Sequence, residues 1–248
     1  MLWPPEILAI VAVAFVVAGF SKGLVGLGLP TVSLTILTLV IGIKEAVPLM
    51  IIPATLMNIY QGAIGGRFLP IVKRLWPLMA ASVITIVFVG AELAAAADRR
   101  LLTGIFGLIM ASYALASLIA FQLPHPGRYE RFATPVVGGV GGVITGLTGS
   151  FVVPAVFYIQ SLGLKRDELV QAMGIMFTVT TLAVGAGWTK LGLIEDDRMW
   201  WVSAGALVPT MIDMVLGTAV RKRVEEATFR KVFFTAILVV GSALALRN

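Results

Sequence analysis

The sequence predicts an all-α integral membrane protein of two inverted repeats, each a broken or re-entrant helix pair followed by three transmembrane helices. Composition is the first ground: 58% of residues are hydrophobic and 13% charged, with a mean hydropathy of +0.98, where soluble domains carry roughly 25% charge. The second is the set of uncharged runs at 7–21, 23–43, 46–66, 75–91, 101–124, 132–164, 169–189, 199–212 and 232–246, many of them near the ~20 residues that carry a helix across a bilayer. These runs lack the alternation of lipid-facing barrel strands, so helices must satisfy the backbone in lipid. The third is a duplication. Gly19-Phe-Ser-Lys22-Gly23-Leu-Val-Gly26 and Gly142-Val-Ile-Thr145-Gly146-Leu-Thr-Gly149 share G-x-x-x-G-x-x-G at a constant offset of 123 positions. Each copy precedes a proline, Pro30 or Pro154, and then a Gly-apolar-Lys turn, Gly42-Ile-Lys44 or Gly163-Leu-Lys165.

The elements follow in order. Residues 1–122 form the first membrane repeat, 123–131 a linker and 132–248 the second. Run 132–164 has 33 residues, too many for one ordinary span and too few for two, so it is read as a broken pair at 133–147 and 151–162. Its counterpart in the first half is 5–21 with 29–42, interrupted by Lys22, Gly23, Gly26, Gly28 and Pro30. Ordinary helices follow at 45–65, 75–94 and 100–121, and again at 168–189, 198–219 and 228–246. Between the halves, Leu123-Pro-His-Pro-Gly-Arg-Tyr-Glu-Arg131 is rich in proline and charge, as surface linkers are. Glu6 stands where a signal peptide has its basic region, so the N-terminal run is expected to be retained.

Charge decides how the broken pairs run. If each pair returns to its starting side, the loops around 67–74, 128–131, 165–166 and 221–231 hold twelve Lys and Arg residues on one side against six opposite. If each pair is a single broken span the split falls to about ten against eight, so positive-inside bias favours the returning arrangement. Each half then makes an odd number of crossings, the second half is inverted, and both termini face outward.

GFSKGLVGLGLPTVSL, the matching GGVITGLTGSFVVPAV and the G-I-K-E-A and G-L-K-R-D-E turns resemble the TauE/SafE sulfite exporter family, also called the 4-toluene sulfonate uptake permease family. The similarity covers essentially the whole chain. Leu27 and Leu29 around Gly28, and Ser150-Phe151 in the second copy, stand where that family is richer in glycine. The resemblance implies a bacterial inner-membrane carrier of sulfite, sulfonates or related small organic anions.

The glycines have two readings: close helix packing, or a functional break. Duplication, with a proline suited to the first turn of a following helix, favours the break. Paired Gly/Pro-interrupted segments in matching halves point to a transporter binding site. The second helix of each pair then starts near the bilayer midplane, at 28–30 or 150–154, and turns unsatisfied amides and a positive dipole end toward an anion. An intramembrane lysine costs about 2.5–3.5 kcal/mol or more unless paired or in water, so Lys22 either snorkels to the surface or serves the site. Its repeat counterpart is Thr145. The expected site is asymmetric, with one cation facing hydroxyls of Thr145, Thr148 and Ser150 across a backbone shaped by Gly23, Gly26, Gly28, Pro30, Gly146 and Gly149.

Asn58 and Gln61, one turn apart beside Tyr60, either glue helices or line the cavity. Asp213, inside an apolar helix, either relays protons or pairs with a loop arginine, and Glu92 is a weaker relay candidate. His125, between Pro124 and Pro126, is expected at the surface. With no cysteine, thiolate chemistry and Cys-based metal sites are excluded. No helix holds a histidine to act as base for a serine hydrolase, and no His/Cys ligand set supports metal binding. No cofactor is expected. A net charge of +6 is accounted for by the loops rather than by nucleic acid. The expected function is a secondary transporter moving sulfite or an organosulfonate by alternating access, its partners the small anion and the lipid bilayer. An anion channel with the same site and a membrane-embedded hydrolase stay open as alternatives.

Overall fold

The computed structural model describes residues 4–25, 28–194, 196–220 and 226–246, and among them every regular element is helical. In chain order these are α1 Pro5–Val25, α2 Leu29–Ile41, α3 Ile43–Ala63, α4 Phe68–Ala96, α5 Arg99–Leu118, α6 Glu130–Thr148, α7 Ala155–Ser161, α8 Arg166–Lys190, α9 Arg198–Val220 and α10 Glu226–Leu246. Seven of them (α1, α3, α4, α5, α8, α9 and α10) are long and apolar enough to cross a membrane, and the protein is a multi-pass membrane protein. By contrast α2 has 13 residues, ~20 Å at 1.5 Å per residue, short of a ~30 Å hydrocarbon core. α7 has only 7.

Three boundaries differ from the sequence expectation by four residues or more, each for a local reason. α1 runs past 21 to Val25 and takes Lys22 into its last turn, because a helical glycine costs only ~1 kcal/mol and Gly23 packs within a helix seam. α4 begins at Phe68 rather than 75, since Arg74 finds partners inside the protein. α7 begins at Ala155, after Pro154, which leaves Ser150–Val153 outside the helices.

The chain divides into two compact units. The first is Met1–Pro53, Asp98–Phe121 and Ile194–Asn248; the second is Ala54–Ala97 and Gln122–Leu193. Each unit draws on both sequence halves. In the first, α1 packs along α9 and α5 along α10, with α2 against α1, α5 and α10. Gly107 faces Gly241 so closely that a Cβ on Gly107 would lie 2.6 Å from the Gly241 carbonyl, and Arg230 donates to the Ser117 carbonyl at the end of α5 (2.8 Å). In the second unit, α6 packs along α4, with α8 against both.

The same kind of seam recurs in each unit and is built from the repeated glycines. In the first unit a Cβ on Gly19 would lie 2.5 Å from the Thr210 carbonyl, and one on Gly217 would strike the Phe20 carbonyl beside Gly23. In the second, a Cβ on Gly142 would lie 2.6 Å from the Ser82 carbonyl, and one on Gly146 2.6 Å from the Gly90 Cα. Gly90 closes a π-helical segment of α4, Ile86–Gly90. Small residues let backbones approach closely where lipid removes the hydrophobic drive for helix association. Gly19, Gly23, Gly142 and Gly146 thus have packing roles inside their helices, and the breaks come after them.

Candidate functional site

Each unit contains one of the two breaks. In the first unit, α1 ends at Val25 and α2 starts at Leu29. Gly28 caps α2 at φ 108, in the left-handed region, and a Cβ there would lie 3.1 Å from Phe233. Glycine adopts that φ without strain, but it has no side chain with which to cap. No side chain caps the first turn of α2, Pro30 supplies no N–H, and Leu29 and Thr31 are buried. A helix start buried without capping partners is unusual, because its first amides lose water and gain nothing. Lys22 stands one turn before the break at 5% exposure. Its side chain is therefore enclosed by the protein. Gly26 lies outside the described residues.

In the second unit, α6 ends at Gly149, a left-handed cap (φ 72) whose amide donates to the Thr145 carbonyl at 2.7 Å, the usual use of glycine at this position. The chain continues through Ser150–Val153 to α7. Arg74 ties both ends of this pair to α4: its guanidinium donates to both Glu130 carboxylate oxygens (2.6 and 2.8 Å) and to the Leu162 carbonyl (3.1 Å). Glu130 opens α6 and Leu162 follows α7, so the second pair begins and ends at one place. Trp188, fully buried on α8, donates to the Gly146 carbonyl at 2.9 Å and holds the end of α6 from another side.

Hydroxyl use in this break differs from the expectation. Thr145 donates to the Gly141 carbonyl (2.6 Å) and Thr148 to the Ile144 carbonyl (2.7 Å). Both hydrogens are spent within the helix, as is common for threonine in helices. Ser150 is fully buried, and its Oγ has no hydrogen-bond partner among the described residues.

Residues 11–244 match the family described as Sulfite exporter TauE/SafE. The chain belongs to the TauE/SafE sulfite exporter family. No match was found among curated proteins or solved structures. As a TauE/SafE protein it is a membrane transporter of a family named for sulfite export.

The remaining candidates of this TauE/SafE chain fall as follows. Gln61 donates to the Val170 carbonyl (2.9 Å), while Gln171 donates to the Gly62 carbonyl (3.0 Å) and accepts from the Arg67 amide (3.0 Å). Gln61 therefore glues α3 to α8, and Gln171 is a partner that sequence reasoning missed. Asn58 is fully buried one turn earlier on α3. Asp213 is half-buried on α9, between Thr210 and Gly217 of the α1 seam. His125 and Glu92 are exposed. The structure thus groups Lys22, Gly23, Gly28, Pro30 and Asp213 in the first unit, and Asn58, Gln61, Thr145, Gly146, Thr148, Gly149 and Ser150 in the second. The Arg74–Glu130 pair also escaped the sequence, in which Arg74 reads as one more loop charge.

Proposed function

We propose that this protein moves a small oxyanion, sulfite or an organosulfonate, across the bacterial inner membrane by alternating access. The observation that carries the reading is the first break: a lysine at 5% exposure beside the buried, uncapped start of α2. An ammonium and the uncapped amides of a helix start both favour negative charge, and neither suits a cation. Family membership supports sulfite as the substrate to try first. The recurrence of the α1–α9 seam as the α6–α4 seam supports the reading as two inverted repeats, 1–122 and 132–248 joined by 123–131. In that topology both termini face outward, and Asp213 is the group that couples transport to protons.

The test is sulfite flux into proteoliposomes carrying the purified protein, against protein-free vesicles and a Lys22→Ala variant. Saturable sulfite uptake that disappears with Lys22→Ala is expected. Unsaturable, very fast flux would instead make the protein a channel, and equal flux in the variant would remove Lys22 from the site.

A further inference from the structure

A serine or threonine in a membrane helix ordinarily donates its hydroxyl hydrogen to the carbonyl one turn back. Thr145, Thr148, Thr178 and Thr180 of the second unit all do so, at 2.6 to 2.9 Å. A hydroxyl so engaged offers its surroundings only lone pairs, and an anion needs a donor. Two buried hydroxyls of this unit stand apart, one on α3 and one in the break outside the helices. Thr55 Oγ1 and Ser150 Oγ are buried and have no hydrogen-bond partner among the described residues. A buried donor left unsatisfied costs about 1–3 kcal/mol, and a one-turn back-bond is the local remedy that its neighbours take. A third such hydroxyl, Thr38, lies in the first unit in the last turn of α2, at the opposite end of that helix from its break.

In the second unit α8 meets both the helix that carries Thr55 and the segment that carries Ser150. α3 and α8 meet where Gly62 faces Gly174, and they run antiparallel, since Arg67, just after the end of α3, pairs with Glu168 in the first turn of α8. Thr55, Asn58 and Gly62 form one stripe of α3, spaced by one turn each. All three are buried. From that point, the antiparallel run carries Thr55 toward the level of Phe177 and Thr181 on α8. Phe177 meets Phe151 edge to face, ring centroids 6.2 Å apart, and Phe151 follows Ser150 directly. Thr55 is also two residues from the middle of α3 (Ile43–Ala63).

We propose that Thr55 and Ser150 donate hydrogen bonds to the transported oxyanion within the second unit. The assignment rests on the oxyanion-carrier reading above and adds Thr55 as a substrate-binding residue. Neutral donors supply direction without adding charge, and they suit an anion rich in acceptor oxygens. Thr145 and Thr148, their hydrogens already committed, are not donors to it.

Thr55→Val and Ser150→Ala test the proposal, because each removes an unsatisfied hydroxyl at little change in shape. In proteoliposomes, KM for sulfite is expected to rise roughly tenfold for each lost hydroxyl, as for a hydrogen bond to a charged group. The melting temperature in detergent without sulfite should not fall, the added stabilisation by sulfite should be lost, and Thr55→Ser should return KM to the parent value. A KM within twofold of parent in both variants overturns the proposal. So does an altered sodium dependence at unchanged sulfite KM, which would mean that the hydroxyls serve a cation. If the parent protein neither carries sulfite nor is stabilised by it, the sulfite reading fails, and the melting shift is measured with sulfate, thiosulfate and ethanesulfonate. A shift present in the parent and absent from both variants still supports the hydroxyl assignment; a shift retained by the variants, or none with any oxyanion, overturns it.

Discussion

Lys22 concentrates the residue-scale argument. A buried ammonium in the last turn of α1 is expensive in a membrane, so Lys22→Ala is expected to fold and insert at least as well as the parent. Sulfite flux should nevertheless fall by tenfold or more, because a charge-assisted contact is lost. Flux together with detergent melting checks both halves of that statement. Thr145→Ala removes a hydroxyl already committed to the Gly141 carbonyl, and its flux should stay within about twofold of parent. Gly28→Ala makes the opposite case, strained at φ 108 and 3.1 Å from Phe233. It should lower stability by about 1–2 kcal/mol, read as a reduced melting temperature before any effect on KM. The oddity of Lys22 is legible in the sequence, as a charge interrupting an apolar run. The use of each hydroxyl is not, because a one-turn back-bond depends on a rotamer that sequence does not specify.

At the scale of elements, the repeated glycines act chiefly as seams. Gly146→Val would push a branched side chain into the backbone of Gly90, and should cost at least the ~1–3 kcal/mol of ordinary overpacking. The expected result is loss of monodisperse protein in detergent, with Gly139→Val as the control. Gly139 sits on the same helix, where a Cβ meets only a Thr85 methyl at 3.9 Å. The Arg74–Glu130 pair fixes the hairpin of α6 and α7, although it is a quarter to a third exposed. Glu130→Gln, after allowance for solvent screening, should cost about 1 kcal/mol, or roughly 2–4 °C in melting temperature. Sequence indicated that a break follows each G-x-x-x-G-x-x-G. It did not show that the first two glycines of each motif are spent on packing, since close approach needs a partner helix that lies far away in the chain.

For the whole molecule, the proposed topology places both termini outside, and a reporter fused after Asn248 should be active only on the periplasmic side. Cytoplasmic activity would remove the inverted-repeat reading. Asp213→Asn should flatten the pH dependence of sulfite flux while leaving flux at the optimum measurable; an unchanged pH profile would dismiss Asp213 as the coupling acid. The sequence by itself determined the helical membrane class, the duplicated break, the resemblance borne out by the family match, and Lys22 as the anomalous charge. These are local properties: hydropathy adds residue by residue, glycine and proline act on their own backbone, and a charge in an apolar run is costly whatever surrounds it. The tertiary structure alone decided that α1 packs on α9 and α6 on α4, that Arg74 bonds both ends of the second pair, and that among the described residues Thr55 and Ser150 have no hydrogen-bond partner while Thr145 and Thr148 donate within their helix. Hydrogen-bond satisfaction and backbone approach belong to pairs of groups from distant parts of the chain, and only the packed molecule says which groups those are.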